Sequence, residues 1–143
     1  MSRLTRKECH EIGKDTLARL DPEHPSIKNT VVYGPRDIQR LLMTKSKKDG
    51  SKLVARVINL GTIEAAEMAI EKGLESLALL NFASAKNPGG GFVNDQTRGQ
   101  EESLCRSSGL YSCIKDRRIY QLARDNNRKC LYHDFVIISP GVP

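Results

Sequence analysis

Leu77-Ala-Leu-Leu-Asn-Phe-Ala-Ser-Ala-Lys-Asn-Pro-Gly-Gly-Gly-Phe92 is the stretch that decides the reading of this chain. Its first four residues are wholly apolar, as expected of a central strand covered on both faces. The run then becomes a Gly-rich loop, and the C-terminal end of a strand is where open α/β sheets bind ligands. Gly89, Gly90 and Gly91 permit positive φ and a close backbone approach, with N–H groups free to meet phosphate oxygens. Pro88 stiffens the entry. Three glycines alone favour a plain flexible turn; their position after an apolar run favours a ligand loop.

Helix and strand patterns alternate on either side. Thr5-x-x-Glu8 fits a capping box, and Ile12, Thr16, Leu17 and Leu20 continue a helical stripe that Asp21-Pro-Glu-His-Pro25 ends. Thr30–Tyr33 reads as a short strand, and Gly34-Pro35 leads into a helix from Arg36 to about Met43. Leu53–Ile58 reads as a strand, followed by a helix with Thr62 as N-cap, an apolar face of Ile63, Ala66, Ile70 and Leu74, and a stop near Gly73. After the loop, Leu104, Ser108, Tyr111 and Ile114 predict one helix from about Gln100 to Ile114. Arg117–Asn127 predicts another, and Phe135–Ile138 a last strand. This alternation predicts an α/β layered domain, a helical segment over 1–50 preceding an α/β portion over 51–143. Ser139-Pro-Gly-Val-Pro143 stands just beyond a strand, where such folds begin a ligand loop and a further crossover helix.

The 143 residues suffice for one core, and 38% hydrophobic with 28% charged residues fits a globular protein rather than a disordered one. No window is long and apolar enough for a membrane span, and the charged N-terminus has no apolar signal region, so an intracellular chain, cytoplasmic or nuclear, is expected. The net charge of +6 permits a polyanionic partner. The densest basic run, Lys45–Lys52, carries loop signals at Ser46, Gly50 and Ser51. The second cluster, Lys115, Arg117, Arg118, Arg124, Arg128 and Lys129, is diluted by Asp116 and Asp125. Both read as solvated surface. With no Trp and seven Phe plus Tyr, a base-stacking platform for nucleic acid is not expected. Cys9, Cys105, Cys113 and Cys130 are widely spaced, so reduced thiols are expected, and no metal site of Cys and His.

Eight residues beyond the glycines, Gln100-Glu-Glu102 opens a helix. Acids there suit the helix dipole and need no further role. Neighbours on a helix point about 100° apart, so the two carboxylates do not face each other across one bond as a symmetric glycosidase pair does. One carboxylate for chemistry and the other for positioning fits this spacing better.

The combination of Gly89-Gly-Gly91, the eight-residue gap and Gln100-Glu-Glu102 resembles the signature of poly(ADP-ribose) glycohydrolases. The fuller string Leu80-Asn-Phe-Ala-Ser-Ala-Lys-Asn-Pro-Gly-Gly-Gly-Phe92, with Glu101-Glu-Ser-Leu104 and Arg106-Ser-Ser-Gly-Leu-Tyr111, is similar to the microbial type. Thr62-Ile-Glu-Ala-Ala66 and Ser139-Pro-x-Val-Pro143 match that type's layout, and the first fifty positions match in character. The resemblance implies a three-layer α/β/α macrodomain-like fold with a mixed sheet. It also implies that the domain extends beyond the equivalent of Pro143, where a second phosphate loop and part of an adenine pocket belong.

The resemblance further implies hydrolysis of the ribose–ribose O-glycosidic bond of poly(ADP-ribose), without a cofactor. Glu102 would protonate the leaving oxygen and then activate water, and Glu101 would hold ribose hydroxyls. Gly89, Gly90 and Gly91 would approach the diphosphate, within a motif framed by Phe92 and Gln100. Ser84 stands where relatives often carry Asn near the distal ribose, and Asn81 reads as a brace for the loop. Partners implied are ADP-ribose, its polymer and ADP-ribosylated proteins. Asp95 and Arg98 depart from the small neutral residues common in the gap; Asp95 would repel a diphosphate and Arg98 would compensate. A general acid needs a raised pKa, whereas a helix N-terminus lowers it, so burial and substrate charge must oppose the dipole. The alternatives are an ADP-ribose-binding module without turnover, an incomplete domain, and a nucleic-acid binder.

Overall fold

The fold is described from a computed structural model, which covers residues 4–44, 54–93, 97–125 and 132–143. The expectations for Lys45–Lys52, Leu53, Asp95, Asn127, Arg128, Lys129 and Cys130 fall outside the described residues. Among those described, seven helices accompany a two-stranded sheet.

Helix α1 (Arg6–Arg19) starts as its sequence dictates. Thr5 accepts the Glu8 N–H at 3.2 Å while the Glu8 carboxylate accepts the Thr5 N–H at 2.7 Å, closing the capping box. The Asp21–Pro25 segment ends α1 and also starts α2 (Pro25–Asn29), with Pro25 in the first turn and the His24 ring accepting the Ser26 N–H. That short helix is not apparent from reading the prolines as stops alone. Strand β1 (Val31–Tyr33) and helix α3 (Pro35–Met43) follow as expected. Helix α4 (Thr62–Glu71) is capped by Gly61 rather than Thr62. The Glu64 carboxylate accepts the Gly61 N–H at 2.7 Å, which leaves the Thr62 hydroxyl to accept a bond from Gln100 Nε2 at 3.2 Å.

The helix expected over Gln100–Ile114 is broken into α5 (Gln100–Ser107) and α6 (Leu110–Ile114). Ser108 takes an extended backbone, and its hydroxyl donates to the Leu104 carbonyl at 2.7 Å while accepting the Leu110 N–H at 3.3 Å. The hydroxyl thus competes for backbone groups that a continuous helix would use itself. The Gly109 N–H is diverted to the Pro143 carbonyl at 2.7 Å. Helix α7 (Ile119–Asp125) starts at Ile119 rather than at the expected Arg117.

Strand β2 (Val136–Ile138) pairs antiparallel with β1, Val31 opposite Ile138 and Tyr33 opposite Val136. The strands expected over Leu53–Ile58 and Leu77–Leu80 are not observed as strands: residues 54–58 and 77–80 have no regular secondary structure. A strand exists only as a paired ladder, and neither run has a ladder neighbour among the described residues. Leu80 is accordingly 73% exposed, the reverse of a run covered on both faces.

The packed part lies around α5, α6 and α7. Cys113, Ile114 and Tyr120 form a buried cluster against Ile27, Leu110, Ile119, Ile137 and Val142. Helix α1 lies along α5, where the Thr16 hydroxyl donates to the Arg106 carbonyl at 2.7 Å. Of the second basic cluster, Arg117 and Arg124 spend donors inside the fold: Arg117 Nη2 donates to the Ile27 carbonyl and Arg124 Nη1 to the Lys86 carbonyl, each at 2.6 Å. Cys9, Cys105 and Cys113 are buried free thiols. No helix among the described residues is long and apolar enough to cross a membrane.

Candidate functional site

Helix α5 brings Glu101 and Glu102 into its first turn, and the loop over residues 81–92 wraps around that turn. Glu101 is 3% exposed, and its carboxylate gathers the loop. Oε2 accepts the Ser84 N–H at 2.7 Å; Oε1 accepts the Gly89 N–H at 3.1 Å and the Asn81 amide at 3.3 Å. Burial pushes the Glu101 carboxyl above the ordinary carboxylate range, against the lowering effect of those three donors and with a small push from Glu102.

Glu102 sits on the other side of the Gly turn. Its Oε1 accepts the Gly91 N–H at 2.9 Å and the Thr97 hydroxyl at 2.6 Å. Burial raises the Glu102 carboxyl, but the Thr97 hydroxyl, the Gly91 N–H, its own N–H and the Arg106 charge together outweigh it and hold the carboxyl below the ordinary range. The neighbouring acids are thus driven in opposite directions. The resting Glu102 is a carboxylate.

The glycines have distinct reasons to be glycine. Gly89 and Gly90 have φ of +72° and +58°, which disfavour any side chain. A Cβ on Gly89 would also come within 2.8 Å of the Tyr111 ring, and one on Gly90 would overlap the Glu102 carboxylate. Phe92 is buried, packed on Tyr111 at 5.2 Å between ring centroids, and lies against Gly13 of α1. It supports the loop from below.

Gln100 ties α5 to the loop entrance. Its Oε1 accepts the Phe82 N–H at 3.0 Å, and Nε2 donates to the Leu80 carbonyl at 2.8 Å. Asn81 braces the loop through Glu101, and its Oδ1 is buried with no hydrogen-bond partner among the described residues. The Ser84 hydroxyl accepts the Asn87 N–H at 3.1 Å, closing its own turn. Of the residues singled out from the sequence, Asn81, Ser84, Gly89, Gly90, Gly91, Phe92, Gln100, Glu101 and Glu102 lie along one wall. Arg98 does not join them: its guanidinium turns to the Leu4 carbonyl at 2.9 Å.

Three residues of this wall receive no role from a reading of the sequence, although Arg106 belongs to the string that carries the resemblance. Thr97 approaches Glu102 from an exposed loop position with no motif to mark it. Arg106, buried on α5, donates to the Thr97 carbonyl at 2.9 Å. Gly99, the α5 N-cap, has an ordinary extended backbone; its one signal is the choice of glycine directly before Gln100-Glu-Glu102. Beside it, an open groove of about 470 Å³ runs between the starts of α4 and α5, lined by Thr62, Glu64, Arg98 and Ser103. Among the described residues, no group of His, Cys, Asp and Glu is arranged to hold a metal ion.

A family model described as microbial-type PARG, catalytic domain, matches residues 7–143. No curated protein matches the chain. Among solved structures, the chain is similar to the poly(ADP-ribose) glycohydrolase (PARG) from Thermomonospora curvata, with 31% identity and a TM-score of 0.84. The match covers 96% of this chain and 56% of that one. A structure of that enzyme bound to the inhibitor ADP-HPD is similar at 30% identity and a TM-score of 0.79, over 96% of this chain and 54% of that one. The chain spans about half the length of the solved chains it matches.

Proposed function

The chain belongs to the microbial-type poly(ADP-ribose) glycohydrolase family, and from that premise we propose that it acts on ADP-ribose polymer, cleaving the ribose–ribose O-glycosidic bond with Glu102 as acid and base. The observation that carries this reading is the Glu102 carboxylate resting against the Gly90–Gly91 turn, where bare backbone can approach a diphosphate. The three-layer α/β/α arrangement with a mixed sheet is part of the same proposal.

Glu102 would transfer its proton to the oxygen leaving the anomeric carbon, and an oxocarbenium ion would form as that C–O bond breaks. Water would then add to the cation and return a proton to the carboxylate. Glu102 must therefore be loaded with a proton first. A bound diphosphate close to the Gly turn supplies the change, because nearby negative charge raises a carboxyl pKa. Glu101 orders the loop, and its three donors leave one of about four acceptor positions for a ribose hydroxyl. The proposed partners are ADP-ribose polymer and the ADP-ribosylated proteins that carry it.

The test is release of free ADP-ribose from polymer. Glu102→Gln is expected to lower kcat by at least ~10²-fold with an unchanged unfolding midpoint; full turnover in that variant would refute the assignment. A second reading, an ADP-ribose-binding module without turnover, is favoured by the Gly91 N–H and Thr97 hydroxyl on Glu102 Oε1, which favour the charged carboxylate over a proton-carrying acid. It predicts heat of binding on titration with ADP-ribose and no product from polymer.

A further inference from the structure

The two oxygens of Glu102 are not equivalent. Oε1 takes both the Gly91 N–H and the Thr97 hydroxyl. Oε2 lies over Gly99, so closely that a Cβ there would overlap it. Gly99 has φ −71° and ψ 173°, open to any residue, so the demand for glycine is steric rather than conformational. From the opposite side a Cβ on Gly90 would overlap Oε1. The carboxylate is thus held in a slot between two glycines and pinned at one oxygen. Arg106 secures the pin, its guanidinium bonding the Thr97 carbonyl at 2.9 Å and the Ser103 hydroxyl at 3.3 Å.

We propose that Thr97 and Gly99 are positioning residues for Glu102: Thr97 anchors Oε1 and Gly99 leaves room for Oε2, the oxygen that carries the transferable proton. The inference rests on the reading of Glu102 as acid and base. In the step it describes, the O–H bond on Oε2 breaks as a new O–H bond forms on the leaving oxygen, and its electron pair stays with the carboxylate. The proton of the attacking water later returns to Oε2. With Oε1 already accepting two bonds, a proton placed there would have to displace a donor; on Oε2 it displaces none of those bonds. A carboxylate free to rotate would lose this distinction and the alignment of Oε2 with it.

The charged and titratable groups around Glu102 leave Thr97 room to matter. Helix α5 itself brings Glu101, Cys105 and the Arg106 guanidinium. From α4, Glu64 lines the neighbouring groove with its carboxylate turned back to the Gly61 N–H. Helix α6 brings the Tyr111 ring against Gly89. Arg98, next to Thr97, is turned to Leu4.

Thr97→Val keeps the shape and removes the hydroxyl; Thr97→Ser restores it. With polymer as substrate, the valine variant is expected to lose ~10- to 100-fold in kcat with KM within about twofold, and serine to recover most of the loss. Gly99→Ala, which pushes directly on Oε2, is expected to lose as much. Independently of turnover, the Glu102 carboxyl carbon followed by NMR should titrate at higher pH in Thr97→Val than in the natural chain or in Thr97→Ser. An unchanged titration midpoint in Thr97→Val overturns the inference, whatever the activity. Glu102→Gln inactive with Thr97→Val at full kcat overturns the positioning role alone, whereas turnover retained in Glu102→Gln overturns the acid–base reading and this inference together. Unchanged amide shifts for Ser84 and Gly89 in each variant show that the loop still folds on Glu101.

Discussion

The loop over 81–92 with helix α5 and the runs over 54–60 and 74–80 are neighbours in sequence and opposites in physics. In the first, Cys105 is 0% exposed, Phe92 3% and Glu101 3%, and the Glu101 carboxylate is met by N–H groups from within twenty residues. In the second, Val54 and Leu80 are each 73% exposed and Leu79 is 47% exposed. The difference is one of range. A carboxylate on a helix start can be satisfied by the loop just before it, so the site wall closes locally. An apolar run closes only when other strands pair with it and other layers cover it, and that requirement is non-local. Gln100 joins the two regimes, with its side chain bonded to Leu80 and Phe82.

The largest break in this contrast is expected from Glu101→Ala. It orphans the Ser84 and Gly89 N–H groups and the Asn81 amide, at about 3 kcal/mol even after the relief of burying one charge less. Thermal unfolding is expected to fall by roughly 10 °C for a domain of this size. A shift under about 2 °C would show that the loop does not depend on that carboxylate. Gln100→Ala cuts the tie between the two regions and is expected to cost about 1 kcal/mol. Hydrogen exchange at the Phe82 amide should accelerate while Gly89 stays protected; equal acceleration of both would merge the two regions into one unit. The smallest effect belongs to Phe82→Ser, whose ring is 70% exposed: stability within about 0.5 kcal/mol of the natural chain. A larger loss, read by the same unfolding curve, would mean that the ring is covered.

The same division governs what the sequence alone reveals. The Thr5 capping box and the Gly34-Pro35 helix entry are set by residues close in the chain and are found as read; the approach of Gly89–Gly91 to Glu101 and Glu102 is likewise local. The Ser108 break is local too, but it depends on whether a hydroxyl turns back onto Leu104 or outward, and helical periodicity says nothing about that choice. The strand expected at Leu77–Leu80 fails for a different reason. Its apolar character specifies that it be covered without specifying by what. Thr97 is invisible for a third reason: a lone threonine in a loop shows its role only when the chain brings Glu102 to it.

Behind the Gly turn, the Cys105 sulfur lies at van der Waals distance from where a Cβ on Gly89 would stand. Burial, with the charges of Glu101 and Glu102, pushes its thiol up to about 12. A thiol so protonated and so enclosed is chemically silent at neutral pH. An alkylating reagent would reach it only if the packing around it loosened, so protection of Cys105 would report how firmly the wall behind the glycine turn is closed.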